Sequence, residues 1–342
     1  MPRLITALLL PVLLSYHAHA AVYRGDDAGR ALVLDSDSLT HHYEDERLPF
    51  PLAPSGDCPA DARCYRTAAA TLLEQRGDNW RIKGGAALAP YTPPVRDPAN
   101  RLFAIEMPYA AALLDDITFT AEKATAHNDK AVTLQDWREP ASGITHFLIR
   151  DGYSDAERDA INSYLRAQAL ATLYARRQCL AALPADKRAA LDYRVNITPT
   201  YLGPRYISAH IHEQTNCGYG GHYGITYDIK QARGLELEDL FWIGGGAPHF
   251  LADESPADQT LRETRAAWLL DALQAAAPQT MRGYPYRAQD YQYPYFYLTP
   301  RGLYIGPLLP PRRAAHAHPE DTLLPYDLVR QHHGILGADA IP

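Results

Sequence analysis

Apolar residues between positions 144 and 335 recur with two distinct periods. Residues 144–149 alternate in the manner of a half-buried strand. Ser154 with Glu157 three residues on has the spacing of a helix capping box. Ile161, Tyr164, Leu165, Leu173 and Cys179 then fall among the buried positions of a helix reaching about Leu183, which Pro184 ends. Strand-like runs follow over 193–198, 206–212 and 223–229, and Gly234 marks a turn. A second helix begins with Ser255 as its cap and Pro256 at the first position, where no amide hydrogen is needed. Leu261, Trp268, Leu269 and Leu273 lie on one face of it, and Pro278 closes it. Runs 295–298 and 303–305 flank Thr299-Pro300-Arg301-Gly302, a hairpin turn by its proline and glycine, and 323–329 reads as one more strand. This order predicts an α+β fold, a mostly antiparallel sheet with two helices packed on one face.

A small β-rich region precedes it over 21–98. Its candidate strands are 31–34, 65–73 and 80–82, punctuated by Gly, Pro and Asp clusters, with Pro90, Pro93, Pro94 and Pro98 making an irregular crossing. In the connecting region, 99–143, the runs 102–107 and 117–120 read as strands, 109–114 as a short helix and 133–137 as a strand before a turn. The α+β domain spans 144–335 and a tail 336–342. No repeat of fixed period is present.

Residues 1–20 have the layout of a secretory signal peptide: Arg3, an apolar run over 4–14, and Ala18-His19-Ala20 before a cut near Ala20/Ala21. The run is shorter than the roughly 20 apolar residues of a spanning helix. The first cysteine is Cys58, so there is no lipobox, and no later segment is apolar enough to insert in a membrane. The expected location is periplasmic or secreted.

Charge and composition narrow the partners. The formal net charge is −7, and removal of Arg3 with the leader makes it −8. Nucleic acid and anionic membranes need a basic face, so neither is expected, and a cationic partner suits better. Tyrosine is abundant, 23 residues against 7 Phe, which favours partly wet sheet surfaces and binding faces. Four cysteines in an oxidising compartment allow three pairings. Cys58 and Cys64 are close enough to close a small loop, which leaves Cys179 to Cys217, a bridge from the long helix to the glycine-bearing stretch.

That stretch, 214–229, reads QTNCGYGGHYGITYDI. Its glycines build a turn, and Tyr219, Gly220, Gly221, His222 and Tyr223 around it are candidate binding residues. Tyr291, Tyr293 and Tyr295 join them, because alternation from Tyr291 to Tyr297 puts four rings on one face of an extended segment. Such a row either stacks on sugars or a protein partner, or forms the inner face of the sheet beneath the second helix. His210 and His212 share a strand face, but Glu213 points the other way and spacing fixes no third ligand, so no metal or other cofactor is expected. Gly-x-Ser-x-Gly and His-Glu-x-x-His are absent, and the glycines lack the Lys-Ser or Lys-Thr of a phosphate loop. Asp115, Asp116, Glu236, Glu238 and Asp239 read as solvated surface, and no catalytic residue is assigned.

Four segments in order carry a resemblance: Cys217-Gly218-Tyr219-Gly220-Gly221-His222, Thr226-Tyr227-Asp228-Ile229, Leu237-Glu238-Asp239-Leu240-Phe241, and Phe296 through Tyr304. Over roughly 144–335 the chain resembles the domain of unknown function shared by the lysozyme-sensing anti-sigma factor RsiV and, as its non-catalytic part, the peptidoglycan deacetylase PdaC. It departs where the family has Gly-Gly-Ala-His and this chain has Gly220-Gly221-His222-Tyr223, and where Pro307, Pro310 and Pro311 interrupt the late aromatic segment. The resemblance implies a non-enzymatic binding protein whose partner is a basic lysozyme-like hydrolase or peptidoglycan. The alternatives are an enzyme modifying envelope polysaccharide through His210, His212 and a carboxylate, and an envelope scaffolding protein.

Overall fold

A computed structural model describes residues 21–127, 131–217, 221–253, 255–309 and 322–342. The leader, and with it the expected cut near Ala20/Ala21, lies outside them, as do Gly218, Tyr219 and Gly220. The chain forms an α+β structure of two units, the first comprising residues up to 120 with 139–142 and 163–191, the second 121–138, 143–162 and 192–342.

In the first unit, β1 (Val22–Asp27), β2 (Arg30–Asp35), β3 (Thr40–Tyr43) and β4 (Phe50–Pro51) form an antiparallel sheet. A second sheet is built from β5 (Ala53–Ser55), β6 (Arg63–Arg66), β7 (Leu72–Arg76) and β8 (Asn79–Ile82). Strand β9 (Ala89–Pro90) then closes the first sheet beside β1. Leu32, Leu34 and Tyr43 of one sheet share a core with Leu73 and Trp80 of the other. The run 65–73, expected as one strand, is two: the Ala70 amide bonds the Thr67 carbonyl at 2.9 Å in a tight turn, with Ala70 at φ 65°. Residues 102–107, expected as a strand, form helix α1 (Arg101–Glu106) instead, entered through a turn that the Asp97 side chain caps. Its apolar spacing suits a helix, burying Phe103 and leaving Ile105 outside. Helix α2 (Pro108–Leu113) follows where a short helix was expected. Strand β3 carries His41 and His42 on opposite faces, both fully buried. The Ala68 amide donates to His41 Nε2 at 3.0 Å, while the His42 ring lies 5.2 Å from that of Tyr109 in α2.

In the second unit seven strands lie side by side in chain order. They are β10 (Thr120–His127), β11 (Val132–Arg138), β12 (Thr145–Asp151), β13 (Tyr193–Leu202), β14 (Tyr206–Thr215), β15 (Gly221–Asp228) and β16 (Arg233–Gly234). Of the expected strand 117–120 only Thr120 is in β10. β12 and β13 are parallel, and the chain crosses between them through α3 (Asp155–Ala182). That helix starts as its sequence predicts: the Glu157 carboxylate accepts from the Ser154 amide at 3.0 Å, and Ser154 Oγ accepts from the Glu157 amide at 3.4 Å. Asn162 in its second turn brackets Ile149, accepting from its amide at 2.7 Å and donating to its carbonyl at 2.9 Å.

The chain continues through α4 (Leu237–Leu240), α5 (Pro256–Ala276) and α6 (Pro278–Arg282) to a three-stranded sheet and α7 (Tyr326–Gln331). The sheet consists of β17 (Tyr295–Thr299), β18 (Gly302–Gly306) and β19 (Leu323–Leu324). Ser255 caps α5, accepting from the Asp258 amide at 3.2 Å. The expected last strand, 323–329, stops at Leu324, because Pro325 cannot extend it and instead opens α7. Leu269 and Leu273 of α5 pack with Phe296, Leu298, Leu303, Ile305 and Tyr206 in one apolar core. Cys58 and Cys64 are bridged, with Cα atoms 5.5 Å apart, and Cys179 and Cys217 are also disulfide-bonded, leaving no free cysteine. No described helix is long and apolar enough to cross a membrane.

Candidate functional site

Strand β17 meets the seven-stranded sheet by its backbone edge. A Cβ at Gly224 would stand 1.7 Å from the Phe296 carbonyl oxygen, so only glycine lets the two backbones approach. The Leu298 amide donates to Ser208 Oγ at 2.9 Å, and Ser208 Oγ also bonds the Ile225 carbonyl and Thr226 Oγ1, each at 2.8 Å. A hydroxyl has one proton and two lone pairs. Ser208 therefore donates to Ile225 and accepts from both Leu298 and Thr226.

The edge of β17 divides the sheet face. On one side Phe296 and Leu298 point into the α5 core with Tyr206. On the other, Tyr295 and the buried Tyr297 of β17 stand against the imidazoles of β15 and β14, with the buried Tyr304 of β18 behind them. Tyr297 stacks on Tyr304 at 4.2 Å and lies 5.2 Å from His210, while Tyr295 is 6.5 Å from His222. The Tyr295 and Tyr304 hydroxyls are 3.2 Å apart. Gly306 makes room for the Tyr295 ring, since a Cβ there would meet it at 2.1 Å. Burial first, and then the neighbouring Tyr304, hold the Tyr295 hydroxyl well above the ordinary phenol range.

The floor beside these tyrosines is a polar row in register across the sheet. Arg138 pairs with Thr145, Thr145 with Asn196, Asn196 with His212, and His212 with His222. Cross-strand partners share a face, so five side chains line up over about 19 Å at ~4.8 Å per strand. Arg138, Asn196 and His212 are exposed, and Thr145 and His222 half-buried. Thr145 Oγ1 donates to Asn196 Oδ1 at 2.8 Å, which turns the Asn196 amide group away from Thr145. Arg138 is held by Glu122, and Arg194, one residue pair along, by Asp192 at 2.8 Å. The three imidazoles are nearly parallel: His212 on His222 at 4.4 Å and 8°, His210 on His222 at 5.1 Å and 5°. His210 Nε2 and His222 Nδ1 are 3.0 Å apart, so one ring supplies a proton and the other a lone pair.

The structure thus brings together His210, His212, His222 and Tyr295 from the residues singled out in the sequence, with Gly221 at the start of β15 beside them. Tyr223 points to the opposite face, as does Glu213. Burial, followed by Glu213, pushes Tyr223 up to about 12, and burial also raises the Glu213 carboxyl. The tyrosine row is broken. Tyr291 sits in a short turn and is fully buried in the α5 core, a correction to its place on a shared face. Tyr293 is 44% exposed elsewhere, beneath the Arg262 guanidinium at 4.7 Å. Pro294 separates them from β17, and only Tyr295 and Tyr297 alternate as a strand.

The carboxylates expected as solvated surface are largely engaged with guanidiniums. Asp115 binds Arg47, Asp116 binds Arg177 at 2.9 Å, Glu238 binds Arg265 and Asp239 binds Arg233 at 2.6 Å. Burial, then Glu238 and Asp239, lifts Glu236 to about 7. Among the described residues no group of three His, Cys, Asp or Glu side chains is disposed to hold a metal. Sequence reasoning missed Arg138, Thr145 and Asn196 as companions of the histidines, because register across five strands is not encoded in local spacing.

Comparison with known proteins gives little to set beside this geometry. No family model and no curated protein matches the chain. Among solved structures it is similar to a crystal structure of a DUF3298 family member from Bacteroides fragilis NCTC 9343, with 15% identity and a TM-score of 0.36, over 64% of this chain and 94% of that one.

Proposed function

We propose that this chain is an exported, non-enzymatic binding protein of the cell envelope that holds a cell-wall glycan on the open face of the seven-stranded sheet. One observation carries the reading: the in-register row Arg138, Thr145, Asn196, His212, His222, bordered by Tyr295 and Tyr297. Aligned donors and acceptors suit the hydroxyl groups of a polar polymer, and the half-buried Tyr295 ring beside them offers an apolar edge. The row has the length of an oligosaccharide strand rather than of one sugar.

A second reading, a basic lysozyme-like hydrolase as partner, is favoured by the excess of 40 acidic over 33 basic residues in the whole chain. The enzyme alternative lacks support at the site, since Glu213 points to the other side of the sheet from His210 and His212. The test is retention at low salt on purified peptidoglycan and on immobilised lysozyme, with wild type and Asn196→Ala. Retention on peptidoglycan that Asn196→Ala weakens supports the glycan reading. Retention on lysozyme alone transfers support to the second reading, and retention on neither removes both.

A further inference from the structure

We infer that His210, His212 and His222 make the open face a proton-linked site for a carboxylate-bearing glycan, the anion and a proton being taken up together. This rests on the glycan reading above and adds to it the charged group that the face selects.

Of the carboxylates carried on this face by the described residues, Glu122 and Asp192 are bound to Arg138 and Arg194, and Asp136 lies two residues from Arg138 on β11, three strands away from His212. What is left to vary is the charge on the imidazoles, the side chains whose ordinary titration falls between pH 5 and 8. The rings stand close enough for a charge on one to bear on the next. At 3.0 Å, His210 Nε2 and His222 Nδ1 share one proton, and a second would set two N–H groups head to head. His212 stacks flat on His222, so protonating both places two cations face to face. A carboxylate laid beside the exposed edge of His212 offsets that repulsion. Binding it therefore draws a proton onto the rings, and lowering the pH strengthens binding.

The other titratable groups nearby do not compete for this role. Glu213 and Tyr223 belong to the same strands but face the opposite side. Tyr295, Tyr297 and Tyr304 border the rings as phenols, with Tyr295 held protonated by burial. Asn196 and Thr198 on β13 add neutral hydrogen-bonding groups next to His212 and His210. The occupant that complements the imidazoles and the neutral hydrogen-bonding groups beside them is a sugar chain with acidic substituents.

Calorimetry on the mature chain tests this with two probes, a soluble tetrasaccharide alternating N-acetylglucosamine with N-acetylmuramic acid, and the neutral chitotetraose. Each is titrated at pH 8 and pH 5.5, in two buffers of different ionisation enthalpy. The acidic sugar is expected to bind about fivefold tighter at pH 5.5, as for a partly exposed ion pair, with net proton uptake. Chitotetraose is expected to change less than about twofold, within what one weak exposed pair contributes. His212→Asn, an exposed position, keeps the fold and abolishes the pH dependence. Equal affinity of the acidic sugar at both pH values without proton uptake overturns the inference and leaves the glycan reading standing. Binding of neither sugar at either pH overturns the glycan reading and the inference with it.

Discussion

Two groups of histidines, one in each unit, sit on strands and differ in everything else. His41 and His42 of β3 are sealed on both faces of their sheet, and His210, His212 and His222 line an open one. Desolvation drives His41 down to about 4 and His42 to about 3, the latter also repelled by Arg47 and Arg177. These rings are neutral core, which acid turns into a liability, whereas the trio is half-buried at His210 and His222 and exposed at His212. Residue type alone therefore does not mark a site; solvation of the face that bears it does.

Acid is the strongest way to test that contrast. His41 and His42 have folded values below the ordinary 6.5, so between about pH 3 and 6.5 the unfolded chain binds more protons. Their contribution is complete above pH 6.5 and is lost as pH falls through that window. The expected loss at pH 4 is about 3 kcal/mol for each ring. Urea unfolding at pH 7.5, 5 and 4 reads it, and His42→Phe flattens the dependence. A first unit equally stable at pH 7.5 and 4 would break the comparison.

The tyrosines offer the same contrast. Tyr291→Ala empties a fully buried site and is expected to cost about 4 kcal/mol. Tyr293→Ala, at a largely exposed ring, is expected to cost about 1 kcal/mol or less by urea titration. Next in size is Gly224→Ala, which forces the β17 backbone off the sheet and is expected to destabilise the second unit by about 3 kcal/mol. Thermal melting with no change for this variant would show that β17 does not lie where it separates core from open floor. The smallest effect is expected at His212→Ala: stability within about 0.5 kcal/mol of wild type, with glycan affinity reduced. A large loss of stability there would move His212 into the same class as His42.

Much of the framework was legible because it is written locally. Ser154 and Glu157, Ser255 and Pro256, and the turn from Thr299 to Gly302 each fix an element boundary within four residues, and the structure has all three. The residues around position 100 were not, since 102–107 is too short for its period to separate strand from helix until the Asp97 cap is seen. The same limit hid the helix after Pro325. Of the candidate site, the sequence showed the pair His210 and His212 and the neighbouring His222. It did not show that β17 would fall across the sheet at Gly224, and so it joined Tyr291 and Tyr293 to Tyr295 in one row. That docking depends on a glycine and a serine 16 positions apart in sequence, neither distinctive by itself.

The hydroxyl of Ser208 has a consequence for the molecule in concentrated solution. An outer strand ordinarily presents unpaired amides and carbonyls that recruit strands from other molecules. Here the outer side of β17 is stitched onto its own chain, with the Leu298 amide occupied by Ser208. Ser208→Ala would strip that stitch and bare a strand rich in aromatic residues, so the cost would appear as clustering of copies at high concentration before it appeared as unfolding.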